Sequence, residues 1–174
     1  KSQRGIIPSM PILDEHTLDF VSKSPDQTRR IGMRLGALLK AGDLICLQGD
    51  LGAGKTTLVQ GMAQGWGTLD SVSSPTFVLV NVYRRADETQ FFHMDAYRID
   101  SAPEGEELDL DTMLDSGPLL IEWAERLEKI LPRERLWVAL EHVSEEHRQM
   151  RFEAHGKRYD ALVSELRQSM FGVA

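Results

Sequence analysis

The sequence of 174 residues contains a single cysteine and has an aromatic content of only 7%. One cysteine cannot form an intramolecular disulfide or a cysteine cluster, so a disulfide scaffold and a Cys-ligated metal are excluded. Cys46 lies in an apolar run, where a reduced and buried thiol is expected. No apolar run is long enough to cross a membrane, and no signal peptide is visible. We therefore expect a cytoplasmic protein without a membrane association.

Positive charge is also scarce. The chain carries 20 Lys and Arg against 27 Asp and Glu, which gives a formal net charge of −7, and it has no dense basic cluster. A protein that holds nucleic acid by itself needs a basic surface against the phosphates, so direct nucleic-acid binding is disfavoured. Action on nucleic acid through a partner stays open.

The length is that of one domain with a substantial core. Residues 1–15 contain two prolines and no sustained periodicity, which predicts a poorly ordered lead-in before a single domain over residues 16–174. In that domain strand and helix patterns alternate, which predicts an α/β fold with a mostly parallel central sheet flanked by helices. The other strand patterns predict a β-hairpin and antiparallel C-terminal strands, over residues 77–83, 90–94, 136–140 and 150–154.

Helix signals flank an apolar strand at residues 44–48. Ser24 can cap a first helix, Pro25 suits its first position, and apolar residues at helical spacing continue to Lys40. A second helix is predicted from Gly54 to the glycines of residues 65–67. A short helix is predicted over residues 124–130.

The strand at residues 44–48 leads into Gly-Asp-Leu-Gly-Ala-Gly-Lys-Thr, a full match to the P-loop pattern G-x-x-x-x-G-K-[ST] at residues 49–56. Glycines let successive backbone N–H groups point at phosphate oxygens, and the following helix N-terminus adds more donors. Lys55 can reach the outer phosphates, and the Thr56 hydroxyl can ligand Mg²⁺. The complete pattern in its strand–loop–helix context predicts binding of a nucleoside triphosphate with magnesium.

Three further features are candidates for the site, each with a simpler alternative. Glu122 ends an apolar run and could hold Mg²⁺, or it is a surface acid at a strand end. Asp95 could orient the attacking water or support the metal, or it caps a turn and pairs with Arg98. Ser74 and Thr76 could form a γ-phosphate-sensing loop, or an ordinary Ser-Pro turn.

Absent motifs narrow the class of nucleotide-binding protein. Neither N-K-x-D nor T-K-x-D is present to select guanine, and no D-x-x-G follows the P-loop, so a Ras-like GTPase is disfavoured. The ABC-type segment L-S-G-G-Q is also missing. An ATP hydrolase is the leading interpretation. A small P-loop phosphotransferase and a nucleotide-gated binding module without a catalytic role are the alternatives.

Five motifs together resemble the TsaE family in order and spacing. They are G-D-L-G-A-G-K-T-T, S-P-T-F, H-M-D-A-Y-R, E-E-L-D-L and L-I-E-W, at residues 49–57, 74–77, 93–98, 106–110 and 120–123. The resemblance implies a P-loop ATPase of low intrinsic activity, with ATP and Mg²⁺ as cofactors. It also implies a role in the threonylcarbamoyladenosine modification (t6A) of adenosine 37 in tRNAs that read ANN codons. The implied partner is the TsaB–TsaD heterodimer, with tRNA contacted only indirectly through that complex.

The resemblance implies roles for individual residues as well. The implied nucleotide-binding residues are Pro25, Gly49, Asp50, Leu51, Gly52, Ala53, Gly54, Lys55, Thr56, Thr57 and Arg148, with Pro25 and Arg148 near the adenine. Thr56 and Glu122 are the implied metal ligands, and Lys55 and Asp95 the implied catalytic residues. Ser74 and Thr76 belong to a switch-like loop. The acidic segment 101–115 is a candidate docking face, although a solvated helix is the simpler interpretation.

Overall fold

The computed structural model describes residues 14–50, 52–72, 80–99 and 108–172. The elements are β1 (Thr17–Ser22), α1 (Pro25–Gly36), β2 (Leu44–Gln48), α2 (Lys55–Trp66), β3 (Val80–Arg84), β4 (Gln90–Asp95), α3 (Leu110–Ser116), β5 (Leu119–Glu122), a 3₁₀ turn (Ala124–Leu127), β6 (Arg135–His142), β7 (Arg148–His155) and α4 (Lys157–Phe171). The predicted lead-in up to residue 13, Leu51, and the loop with Ser74 and Thr76 lie outside the described residues. What was predicted for them stays a prediction.

The seven strands form one mixed sheet in the order β1-β7-β6-β2-β5-β4-β3. At its centre β2 pairs in parallel with both β5 and β6, and β4 pairs in parallel with β5. At one edge β3 and β4 form an antiparallel hairpin, and at the other β7 runs antiparallel to β6 and to β1. The predicted fold class is therefore confirmed, including the hairpin and the antiparallel C-terminal strands.

Because the central strands run in the same sense, their carboxyl ends meet at one edge of the sheet, where α/β folds bind ligands. At this edge β2 ends at Gln48 directly before the P-loop, β4 ends at Asp95 and β5 ends at Glu122. β1 runs in the same sense, and its last residue, Ser22, pairs with Arg148 at the start of β7. The topology thus brings the P-loop, two carboxylates and the N-terminus of α1 to one edge.

Hydrophobic residues cover both faces of the sheet. Consecutive strand residues point to opposite faces, so Ile45 and Leu47 join the cluster under α1, α2 and α4, whereas Leu44 and Cys46 join the cluster under α3 and the 3₁₀ turn. Burial raises the pKa of Cys46 to about 12. The expected buried, unpaired thiol is confirmed. Within the described ranges, no helix combines the length and the apolar character needed to span a membrane.

Glycines allow α1 and α2 to pack backbone against backbone. A Cβ on Gly61 would lie 2.1 Å from the carbonyl oxygen of Arg29, and a Cβ on Gly36 would lie 1.9 Å from that of Met62. No side chain fits into separations this short, so both positions require glycine. This contact fixes the helix that carries the lysine and threonine of the P-loop in its first turn.

Two predicted helices are shorter than their sequence patterns suggest. The first was predicted to reach Lys40 but ends at Gly36, because the N–H groups of Leu38 and Leu39 donate to carbonyls three residues back and tighten the chain into 3₁₀-type turns. The short helix predicted over residues 124–130 is a 3₁₀ turn of four residues. Strands β6 and β7 are longer than predicted, because their polar ends pair with neighbouring strands without contributing to the apolar pattern.

Candidate functional site

The P-loop has the backbone conformation that its glycines permit. Gly52 and Gly54 have φ angles of +79° and +94°, in the left-handed region that strains other residues. Gly54 is the N-cap of α2, and no side chain caps this helix end. The first turn of α2 therefore presents backbone N–H groups and the positive end of the helix dipole to the loop, an arrangement suited to phosphate.

Lys55 is the first residue of α2, and its side chain folds back over the loop. Its Nζ donates to the carbonyl oxygens of Gly49 and Asp50, the second at 2.9 Å. Burial lowers the pKa of Lys55, while the negative charges of Glu122 and Glu125 act in the opposite direction. An ammonium group thus lies beside the P-loop with only carbonyl oxygens as hydrogen-bond partners in the described part of the chain, and a phosphate oxygen would be a stronger acceptor.

The two predicted carboxylates are neighbours. Asp95 and Glu122 occupy the same register position at the ends of β4 and β5. Asp95 Oδ1 accepts a hydrogen bond of 2.8 Å from the Tyr97 N–H, so the turn-capping alternative is present in the structure. Burial raises the pKa of Asp95 and the charge of Glu122 adds to the rise, whereas the bond from Tyr97 opposes it. An acid with a raised pKa is a better proton acceptor when ionised.

Glu122 belongs to a buried hydrogen-bonded chain. Its Oε2 lies 2.8 Å from His93 Nε2, and His93 Nδ1 lies 2.9 Å from the hydroxyl of Tyr83. The His93 ring therefore contacts a candidate metal ligand directly. Tyr83 was missed altogether. The available signal was the place of Tyr83 in the predicted hairpin. His93 is its diagonal neighbour on the facing strand, and a long side chain can reach that position.

Trp123 lies between the P-loop lysine and an exposed tyrosine. The Lys55 Nζ is 4.3 Å from the centroid of the Trp123 ring, and the Tyr97 and Trp123 ring centroids are 4.9 Å apart. The Arg126 guanidinium lies 5.2 Å from the Tyr97 ring. Trp123 has a φ of +58°, which is uncommon for a bulky residue. The site edge therefore carries two neighbouring aromatic rings with a cationic group at each end of the pair, and the first of these cations is the P-loop lysine.

Arg148 contacts the P-loop. Its Nε donates to the Gly52 carbonyl oxygen at 3.2 Å, and its Nη1 donates to the Ser144 carbonyl oxygen at 2.8 Å. Arg148 thus ties the β6–β7 loop to the P-loop. Pro25 is the first residue of α1, at the same sheet edge, and the predicted Ser24 cap is present. The structure places Arg148 against the P-loop and Pro25 at the same edge of the sheet, and their contact with adenine stays a prediction.

Glu125 is a further acidic residue that the sequence analysis missed. It lines a cavity of about 250 Å³ beside the P-loop, together with Gly49, Asp50 and Glu141. Burial raises its pKa. Its Oε2 is buried and has no hydrogen-bond partner among the described residues. The spacing of three residues from Glu122 was the only available signal, and a single 3₁₀ turn brings Glu125 back to the same edge.

Thr56 and Glu122 supply a hydroxyl oxygen and a carboxylate oxygen, the hard donors that Mg²⁺ prefers. In the described ranges, no group of three or more His, Cys, Asp or Glu residues could hold a metal by itself. This donor set suits a magnesium ion that keeps waters and nucleotide phosphates as its other ligands. The predicted residues Gly49, Asp50, Gly52, Ala53, Gly54, Lys55, Thr56 and Thr57 form the loop and first helical turn on which this arrangement depends.

Comparisons with known proteins agree with this geometry. Residues 22–150 match the sequence profile of the family described as "Threonylcarbamoyl adenosine biosynthesis protein TsaE". The matched range includes every predicted site residue from Pro25 to Arg148.

Individual relatives extend the match over most of the chain. A tRNA threonylcarbamoyladenosine biosynthesis protein TsaE from Bacillus subtilis (strain 168) is 40% identical over 150 residues, which covers 86% of this chain and 93% of that protein. The protein of the same name from Streptomyces coelicolor is 44% identical over 110 residues, which covers 62% of this chain and 74% of that protein. The crystal structure titled Bacillus subtilus YdiB has a TM-score of 0.74 and 34% identity, and the match covers 88% of this chain and 96% of that one.

Proposed function

This chain belongs to the TsaE family, and we propose that it is a magnesium-dependent ATPase that serves the threonylcarbamoyladenosine modification of tRNA. The family name gives the pathway, threonylcarbamoyl adenosine biosynthesis. The observation that carries the catalytic part is the juxtaposition of a complete P-loop with two carboxylates, Asp95 and Glu122, at one edge of the sheet.

The P-loop residues would bind the triphosphate. Lys55 would exchange the carbonyl oxygens of Gly49 and Asp50 for oxygens of the β- and γ-phosphates, and the first-turn N–H groups of α2 would donate to the same groups. The exchange keeps the ammonium group hydrogen-bonded and pairs it with a full negative charge. Thr56 and Glu122 would hold the magnesium ion, which neutralises charge on the phosphates when bound.

Asp95 would position the attacking water. Its carboxylate lies beside Glu122 at the sheet edge, and burial raises its pKa, which favours proton acceptance. Glu122 is less suited to this task because one of its oxygens already bonds to His93. We therefore assign water activation to Asp95 and metal binding to Glu122.

The partner is part of the proposal. A net charge of −7 gives the chain no electrostatic means of holding tRNA tightly by itself. We propose that it acts in the cytoplasm on a TsaB–TsaD heterodimer, and that this complex brings the tRNA reading ANN codons. Low intrinsic hydrolysis and its stimulation by the complex belong to the same proposal.

The test is ATP hydrolysis by the purified protein, alone and with the TsaB–TsaD pair, with release of inorganic phosphate as the readout. We expect slow hydrolysis alone, a clear rise with the pair, and no hydrolysis by the Lys55→Ala variant. Lys40→Ala, which removes an exposed lysine outside the site, is the matched control and should behave as wild type. Unchanged turnover in a folded Lys55→Ala protein would contradict the catalytic assignment. An active protein that neither binds the pair nor responds to it would contradict the partner assignment alone.

A further inference from the structure

We propose that His93 and Tyr83 are positioning residues that hold the Glu122 carboxylate in one orientation toward the magnesium–nucleotide complex. The proposal rests on the proposed function, because it concerns the use of Glu122 in that site. Its basis is the continuous chain in which the Tyr83 hydroxyl lies 2.9 Å from His93 Nδ1, and His93 Nε2 lies 2.8 Å from Glu122 Oε2.

The three side chains are buried together. Tyr83 is 3% exposed, His93 is 0% exposed and Glu122 is 3% exposed. A glutamate side chain has three rotatable bonds, and the last of them has no sharp preference, so an unrestrained carboxylate samples many orientations. A hydrogen bond to a ring packed inside the sheet removes this freedom. His93 uses only one carboxylate oxygen, Oε2, and leaves Oε1 for a ligand of the site.

The direction of the hydrogen bonds follows from the groups themselves. An ionised carboxylate can only accept, so His93 Nε2 must be the donor to Glu122. When Nε2 carries the ring proton, Nδ1 is an acceptor, and the Tyr83 hydroxyl can donate to it. The Glu122 carboxylate therefore sets the tautomer, and the Tyr83 hydroxyl holds the ring in the orientation that gives Glu122 its partner. Loss of a group that fixes a metal ligand in this way commonly lowers metal affinity by about 10- to 100-fold.

The position of the chain in the fold gives it rigidity. His93 lies in β4, between β5 with Glu122 and β3 with Tyr83, so each hydrogen bond joins neighbouring strands of one sheet. Lys55 and Asp95 both interact electrostatically with Glu122. The orientation of this one carboxylate therefore affects the P-loop lysine, the candidate base and the metal at once.

Two substitutions of His93 separate positioning from simple packing. In His93→Gln, the side-chain amide nitrogen takes the place of Nε2 and can still donate to Glu122. In His93→Asn, the amide takes the place of Nδ1, and the donor to Glu122 is lost. Asn is one methylene smaller than Gln, so the thermal unfolding of each variant is needed to measure the packing that is lost together with the donor. Tyr83→Phe removes only the hydroxyl.

The first measurement is the magnesium dependence of binding of a fluorescent ATP analogue. We expect the half-saturating Mg²⁺ concentration to rise by about 10-fold or more in His93→Asn, as for other losses of a group that orients a metal ligand. In His93→Gln it should stay close to the wild-type value. Binding without magnesium, in EDTA, should be unchanged in both variants. Thermal unfolding is recorded for each variant, and Glu122→Gln gives the effect of losing the carboxylate itself.

An unchanged magnesium dependence in folded His93→Asn would overturn the proposal, and so would equal losses in the two His93 variants. The second measurement needs no nucleotide. Nitrogen-15 NMR of the imidazole should place the His93 proton on Nε2 in the wild type. In Tyr83→Phe the proton should stay on Nε2, and the Nδ1 resonance should shift because only the hydrogen bond from Tyr83 is lost. A wild-type proton on Nδ1 would overturn the positioning proposal even in an active ATPase. If the NMR result is as expected but the wild type binds no nucleotide, the proposed function fails instead, and the positioning role toward it fails with it.

Discussion

Lys55 lies over the indole of Trp123, with its Nζ 4.3 Å from the ring centroid, although the two residues come from different strand–turn units of the sheet. A cation at this distance is attracted by the face of the indole ring. The contact links the P-loop to the strand end that carries Glu122. Any movement of Lys55 toward a phosphate must therefore change the surroundings of Trp123.

This contact predicts a fluorescence signal for nucleotide binding. When Lys55 turns to the phosphates, the field on the Trp123 indole changes, and the tryptophan emission should change with it. Trp123→Phe should lose most of the ATP-induced change. Trp66→Phe is the matched control. Trp66 is the last residue of α2 and is buried against Phe91 of β4, so the Trp66→Phe variant should retain the signal. A full signal in Trp123→Phe, with nucleotide affinity intact, would contradict the prediction.

The raised pKa of Asp95 predicts that the difference in stability between the wild type and Asp95→Asn depends on pH. Its pKa is raised, first by burial and then by the charge of Glu122, so the ionised form is less stable in the folded chain than in the unfolded chain. The cost is absent below the ordinary aspartate pKa of about 3.9 and grows as the pH rises through the raised pKa. Asp95→Asn, which can still accept from the Tyr97 N–H, should therefore match the wild type near pH 4 and exceed it at neutral pH. The gain should be about a few tenths of a kcal/mol, because solvent screens a half-exposed site.

Urea unfolding of both proteins between pH 4 and pH 8 checks this expectation. A wild type that gains stability over Asp95→Asn as the pH rises would show that the sign is wrong. The same variant tests the catalytic assignment. Loss of a general base lowers a rate by about 10²- to 10⁴-fold, so ATP hydrolysis should fall by such a factor while nucleotide binding is retained.

Local signals in the sequence were sufficient for the P-loop and its two flanking elements. The apolar run at residues 44–48 is β2, Ser24 caps α1, and Gly67 closes α2 with a φ of +104°. Each of these depends on neighbouring residues along the chain, such as a capping oxygen or a glycine that accepts a left-handed conformation. The fold class follows from the alternation of these elements.

The side-chain arrangement of the site could not be predicted in the same way. The bond from His93 to Glu122 depends on β4 lying next to β5, and no local pattern specifies which strands are neighbours. The role of Tyr83 depends in addition on the register of the β3–β4 hairpin. Leu38 and Leu39 show the opposite problem, because their apolar spacing continues the helical pattern after the backbone has already left the α-helix. Tertiary packing buries apolar side chains in 3₁₀-type turns as well as in an α-helix. The spacing of apolar residues therefore does not show where the α-helix ends.

Substitution of Arg148 tests two possible roles of this residue, support of the P-loop and contact with adenine. Its guanidinium donates to carbonyl oxygens of Gly52 and of the β6–β7 loop. We expect Arg148→Ala to weaken ATP and inorganic triphosphate binding by a similar factor of about 5- to 10-fold, equivalent to roughly 1 kcal/mol for a lost hydrogen bond. Calorimetric titration with both ligands measures the two factors. A loss confined to ATP would instead support the adenine contact predicted from the sequence.

Gly61 tests the close packing that positions α2. A Cβ at this position would lie 2.1 Å from the carbonyl oxygen of Arg29, a backbone atom that cannot rotate away. Gly61→Ala should therefore push α1 and α2 apart and lower the free energy of unfolding by about 1–3 kcal/mol, even though alanine favours the helix by about 1 kcal/mol.

Gln64→Ala, on the exposed face of the same helix, is the matched control and should change stability by no more than about 0.5 kcal/mol. Chemical unfolding of the two variants gives these values. Because α2 carries Lys55 and Thr56 in its first turn, nucleotide affinity should also fall in Gly61→Ala and not in Gln64→Ala. If Gly61→Ala is as stable as the control, the helices have room to separate without cost, and the contact does not fix the P-loop.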